Sequence, residues 1–189
     1  VIDRGHRKMS QRTCNECTLC CRVLPVAEIG KPCATRCAQQ CAKGCRVYGT
    51  SAYPISCRLW TCAWLSDESI PLPRPDRVGY IIDKALDFIE LEGVGAVCVL
   101  QIWIDPRTPL AHRDLKLRSW LARRWDTDQQ IALIRFDAFA ALALFPPQLT
   151  TDGRWLEAPG TNVVKQHTPA QIAQTLAKIR TESALGAPA

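Results

Sequence analysis

The chain has 189 residues, enough to bury a sizeable core but close to the size of one domain. Its 47% apolar and 22% charged content is that of an ordinary soluble chain and argues against disorder. The formal charge of +6 invites a nucleic-acid reading, yet the lysines and arginines are dispersed, with runs only at Arg4–Lys8 and over Arg113–Arg124. No segment reaches the roughly 18 apolar residues of a membrane helix. Residues 1–12 hold no apolar stretch of the kind a signal peptide needs, so the expected compartment is the cytoplasm, where thiols stay reduced.

In chain order, residues 1–12 are polar and read as a flexible arm. Residues 13–70 form a cysteine-rich module of short turns and helical pieces. Within it Cys33, Cys37, Cys41 and Cys45 recur every four residues, a spacing that would line them along one helix face. Pro71, Pro73 and Pro75 then mark an extended joint. Residues 71–189 read as an α+β part continuous with the module as one unit. Alternation through Val78, Tyr80 and Ile82, again around Phe88–Leu91, and the branched run Val94–Ile104 predict three strands, the last central and buried. Asp105–Pro109 is a turn.

His112–Arg124 reads as a helix whose apolar stripe is Leu115, Leu117, Trp120, Leu121 and Trp125, with Leu117 fitting least well. Ile131–Arg135 and Phe139–Phe145 are candidate strands, although the alanine-rich second segment reads equally well as helix. Residues around Trp155 and Val163–Val164 belong to a loop-rich stretch. Thr168-Pro169 opens a helix from about Ala170 to Ser183. The expected fold is α+β: a metal-stapled cysteine-rich region packed against a small, mainly antiparallel sheet with helices.

Composition departs from the ordinary in its 11 cysteines, ten of which fall between Cys14 and Cys62. They are Cys14, Cys17, Cys20, Cys21, Cys33, Cys37, Cys41, Cys45, Cys57 and Cys62, opening with C-x2-C-x2-C-C. Two thiolates separated by two residues close on one ion because the chain turns back between them. Soft sulfur favours zinc, iron–sulfur centres or Cu(I) over hard ions. The adjacent Cys20 and Cys21 diverge and do not readily share one tetrahedral ion, so they suit two neighbouring ions or a bridging arrangement. Eight to ten thiolates exceed one four-coordinate site. If eight of them held two divalent ions, the net charge would fall to about +2, which further weakens the nucleic-acid reading.

These residues resemble the YkgJ-type family, described as a zinc- or iron-chelating domain with a CxxCxxCC signature. The match runs through Cys14–Cys21, Val23-Leu-Pro-Val26 with Glu28, Lys31-Pro32, Gly44–Tyr48, Cys57–Leu65 and Arg74-Pro75-Asp76, covering about residues 14–82. The resemblance implies eight ligands: Cys14, Cys17, Cys20, Cys21, one or more of Cys37 and Cys41, then Cys45, Cys57 and Cys62. Two departures stand out. Tyr53-Pro54 replaces an Arg-Pro, and Cys33 occupies a position where a small residue is common. A flagellin lysine N-methylase shares the domain, but this chain has no Gly-rich loop after a strand to hold a methyl donor.

Among other residues, Glu16, Glu28, Asp67 and Glu68 read as turn or cap residues. Arg22, Lys31, Arg46 and Arg58 are candidates to offset thiolate charge. Trp60 and Trp64 are expected to shield the centre, Cys98 to be an inert core residue, and His6, His112 and His167 to be weak ligand candidates. The leading expectation is a zinc-chelating protein with a structural or storage and delivery role, acting on metal ions and a protein partner. The rival is an iron or iron–sulfur enzyme, and the weakest a zinc-stapled nucleic-acid module. Nothing in the sequence settles whether it is an enzyme.

Overall fold

The computed structural model describes residues 12–91 and 95–160. Their architecture is α+β. Five strands form one sheet in the order β3 (Tyr80–Leu91), β4 (Gly95–Ile104), β5 (Ile131–Arg135), β6 (Ala141–Phe145) and β7 (Leu156–Gly160). Neighbours are antiparallel except β4 and β5, which run parallel and are joined through the helix α5 (Leu115–Asp128). A parallel pair needs a long crossover, and α5 supplies it.

The period-2 alternation of strands sends successive side chains to opposite faces, and the chain uses both. Ile82, Leu100, Ile102, Ile104, Ala132, Ile134 and Leu144 join Leu117, Trp120 and Leu121 of α5 in one buried layer. Ile81 and Trp103 project the other way and pack with Leu19, Val23 and Cys62 of the cysteine-rich region. Because β4 is covered on both sides, it reads as an almost continuous apolar run. Cys98, Val99 and Ile102 in it are fully buried, and Gln130 Nε2 lies 3.7 Å from Cys98 Sγ.

Several elements differ from the sequence expectation. The three strands expected between 78 and 104 are two. Val78 belongs to a one-turn helix, α4 (Pro75–Val78), with proline in its first turn, and β3 is one long strand. A register shift between Ile82 and Leu86 changes the phase of the alternation, which is why one strand looks like two. In α5 the Asp114 carboxylate accepts from Leu117 N at 2.8 Å and sets the helix phase. Leu117 is therefore fully buried while Leu115 is 80% exposed, the reverse of the order expected for these two, whereas Trp120 and Leu121 are buried as the stripe requires. The loop expected around Trp155 contains β7. Its Pro159 hid the strand, and an edge position tolerates it. Arg12, expected in a flexible arm, donates to the carbonyls of Trp64, Asp67, Glu68 and Ile70 at 2.8–3.0 Å and stacks on the Trp64 ring. The predicted helix from Ala170 to Ser183, Val163–Val164, His6 and His167 lie outside the described residues.

Gly79 terminates α4 at φ 75°, the left-handed region, and donates its N–H to Pro75 O at 2.9 Å. A β-carbon there would be driven into the Thr108 side chain. Gly79→Ala is expected to cost about 2–4 kcal/mol in chemical denaturation, from the backbone penalty plus overpacking. A cost below 0.5 kcal/mol would show that the turn relaxes freely.

At the far edge Glu157 of β7 accepts from Arg113 Nη2 at 2.9 Å and Arg118 Nη2 at 2.5 Å, beside the buried His112 ring, whose Nε2 lies 3.5 Å from Glu157 Oε1. The Arg113 hydrogen bond, opposed by partial burial and assisted by Arg118, holds the Glu157 carboxyl down at about 2. Its stabilisation is complete above its ordinary value of 4.5 and is lost as the pH falls towards 2. Burial lowers the affinity of His112 for a proton, so the folded state also loses ground as the pH drops below 6.5. Stability is therefore expected to decline steadily on acidification from pH 6.5. Glu157→Gln should cost about 1–3 kcal/mol at pH 7 and flatten the acid limb in urea titrations at several pH values.

Candidate metal centre

Short local devices place each cysteine. Cys17 N donates to Cys14 O at 2.7 Å while Asn15 adopts φ 43°, a tight turn that folds the first C-x2-C pair back on itself. The doublet opens α1 (Cys20–Val23), a single turn. After it, Val26 and Lys31 pair as a bridge closed by Gly30 at φ 59°. The chain then returns so that Cys37 N donates to Cys21 O at 2.8 Å.

Residues 33–45 are not a helix. They carry turns and a hairpin of two-residue strands, β1 (Gln40–Cys41) and β2 (Gly44–Cys45). A helix there would have had only Ala34, Ala38 and Ala42 to add to its cysteines as an apolar face, and Gly44 sits at φ 121°. Gln40 Nε2 bonds Thr18 Oγ1 at 2.6 Å and ties the hairpin to the first loop. Cys57 rides on α2 (Ile55–Leu59). The carboxylate of Glu28 accepts from Ser56 N at 2.8 Å and Ser56 Oγ at 2.6 Å in the first turn of that helix, so it serves there as a cap. Cys62 precedes α3 (Ala63–Ser66) and pairs by a β-bridge with Asp83 of β3, which also accepts from Trp60 Nε1 at 3.2 Å.

The result is a cavity of about 350 Å³ with eight cysteines in its wall: Cys14, Cys17, Cys20, Cys21, Cys37, Cys45, Cys57 and Cys62. Leu24, Val26, Trp60, Ile81 and Trp103 make up much of the apolar remainder. Of the ten candidates, Cys41 stays in the hairpin and Cys33 near Lys31, both outside this wall. All eleven cysteines are free thiols. Among the described residues no three His, Cys, Asp or Glu side chains stand close enough together to hold an ion without moving. The donor set nevertheless suits a soft ion, since sulfur lines the cavity and no carboxylate but Asp83 does.

Burial pushes most of these thiols upward, Cys62 to about 11, with the neighbouring sulfurs Cys14 and Cys17 adding to it. Burial likewise raises Cys14, Cys17, Cys45 and Cys57. Cys21 is the exception. The Cys20 thiol donates to it and, against partial burial, that bond and the nearby Lys31 ammonium hold Cys21 at about 7. Cys20 is correspondingly pushed well up.

Lys31 is 7% exposed, and its ammonium donates to the carbonyls of Leu24 and Pro32 among the sulfurs. The sequence marked it as one of four candidate charge partners. Of the others, Arg22 turns to Asp105 at 2.6 Å, and Arg58 donates to the carbonyls of Tyr53 and Thr50 at 2.9 and 2.8 Å. Asp83, Trp103 and Arg12 went unmarked. They lie far from the cysteines in sequence, and only the strand register or a long-range contact brings them in. Trp64 donates to Leu72 O at 3.0 Å and packs against the cluster of Leu19, Val23, Cys62 and Ile81 but does not line the cavity, whereas His112 sits at the far edge of the sheet.

No protein-family model matches the chain, and comparisons with curated proteins and with solved structures likewise find no match.

Proposed function

We propose that this chain is a metal-binding protein, related to the YkgJ-type chelating domains, in which clustered cysteine thiolates bind zinc. The observation that carries the reading is the gathering of eight cysteines, drawn from loops, two one-turn helices and a hairpin, into the wall of a single cavity. In a reducing, cytoplasmic setting such a wall is a soft-ion site, and the ions complete a fold that the local elements hold only loosely. Its role is chiefly structural, with storage or delivery of the metal as the accompanying function. Binding requires the sulfurs to move together to reach the roughly 2.3 Å of a zinc–thiolate bond. It also releases protons, because burial keeps most of these thiols protonated when no ion is bound.

Anaerobic purification, followed by metal analysis and a visible spectrum, tests this directly. The expected result is a colourless protein with about two zinc ions per chain. Charge-transfer absorption near about 400 nm with acid-labile sulfide would replace the zinc reading with an iron–sulfur protein. A metal-free, folded protein would remove both. Among the described residues no helix is long and apolar enough to cross a membrane.

A further inference from the structure

We infer that the eight cavity thiols form two separate four-sulfur sites, one from Cys14, Cys17, Cys20 and Cys62, the other from Cys21, Cys37, Cys45 and Cys57. The Cys20–Cys21 doublet is thus divided between two ions. This partition rests on the metal-binding reading above and assigns each thiol to its ion.

Two observations lead to it. The first is the direction of the doublet. Cys20 and Cys21 are the first two residues of α1, and consecutive helical residues point about 100° apart, so their side chains set out in different directions even though the Cys20 thiol still reaches Cys21. The second is what each side meets. Cys17 and Cys20 pack with Cys62, Leu19 and Ile81 in the apolar cluster that faces the sheet, and the turn hydrogen bond ties Cys14 to Cys17. On the other side, Cys37 N bonds Cys21 O, and Gln40 N bonds Cys37 O at 3.1 Å, so the returning chain leads straight into the hairpin. Gln40 faces Cys45 across that hairpin, and the Glu28–Ser56 contact moors the helix carrying Cys57 to the Val26–Lys31 loop.

Fixed cations stand near both sets. Arg74 lies beside Cys14 and Cys17, and the buried Lys31 ammonium lies among Cys37, Cys21, Cys33 and Cys20. A divalent ion with four thiolates carries a net charge of about −2, so two such sites side by side are favoured by fixed cations nearby. The sets meet at the doublet, where the Cys20 thiol bonds Cys21, and at Cys14, which also lies near Cys21.

Cadmium-113 substitution of the full chain tests the partition without mutation. The probe is the ion itself, read by 113Cd–1H correlation to the cysteine β-protons. The expected spectrum has two cadmium resonances, one correlated with Cys14, Cys17, Cys20 and Cys62, the other with Cys21, Cys37, Cys45 and Cys57. Correlation of any cysteine with both ions, or of Cys20 and Cys21 with the same ion, overturns the partition while leaving metal binding intact. An absence of bound cadmium overturns the metal reading along with it. As a second readout, Cys17→Ser and Cys57→Ser should each halve the cadmium content and abolish different resonances. Loss of the same resonance in both variants also rejects the assignment.

Discussion

On the proposed zinc reading, chelation of the metal is expected to melt residues 14–66 while the five-stranded sheet stays folded. The module owns little regular structure: helices of four and five residues and a hairpin with strands of two. Helices this short do not persist alone, since an isolated helix needs roughly 12–15 residues even with good formers. The apolar side chains the module buries most deeply, Leu19 and Val23, lean on the sheet through Ile81. A structural zinc ion contributes about 10–16 kcal/mol of apparent folding free energy in small zinc domains, more than the rest of such a module supplies. Hydrogen exchange before and after chelation reads the outcome. The amides of Cys37 and Arg46, which bond Cys21 O and Gln39 O, should lose protection, and those of β4 and β5 should keep it. Unchanged protection in the module after metal loss would show that packing alone holds it.

Asp105→Ala is expected to cost about 3–5 kcal/mol, as removal of one partner from a buried ion pair does. The carboxylate of Asp105 is 3% exposed at the end of β4 and accepts from Arg22 Nη1 of α1 at 2.6 Å and from Arg107 Nη2 at 2.9 Å. It therefore latches the helix that carries the cysteine doublet to the sheet. Burial works against its charge, but the hydrogen bonds from Arg107 and Arg22 prevail and keep it ionised below its ordinary value of 3.8. Its contribution is thus constant at neutral pH and fades only as the pH falls below 3.8. Arg107 is 67% exposed, so Arg107→Ala should cost no more than about 1 kcal/mol. Guanidinium denaturation of both variants separates the two partners. Equal costs would show that the latch is Arg107 rather than Arg22.

The fold class was legible in the sequence because its signals are local. The proline joint, the branched run of β4, and the strand at Ile131–Arg135 are read from a handful of neighbouring residues. Elements governed by distant partners were harder. The phase of α5 is set by Asp114, whose capping role shows only once the helix start is known, and the register shift in β3 depends on its pairing with β4. Ten clustered cysteines marked out the candidate site, but regular spacing misled. The four-residue repeat from Cys33 to Cys45 imitates a helix, whereas the chain makes a hairpin that leaves Cys41 outside the cavity wall and Cys45 inside it. Lys31 could be suspected as a charge partner. Its burial follows from the Val26–Lys31 bridge, which no periodicity reports.

The placement of the tryptophans divides the molecule optically. Trp60, Trp64 and Trp103 pack in the cluster that contains Cys17, Cys20 and Cys62, whereas Trp120, Trp125 and Trp155 belong to the two layers built on the sheet strands and α5. An open-shell ion such as Co(II) in the cavity should quench the emission of the first three by short-range energy transfer and spare much of the rest. On the metal-binding reading the chain would thus carry its own occupancy gauge, in which the quenched fraction of intrinsic fluorescence follows loading of the cavity and the residual emission follows the integrity of the sheet.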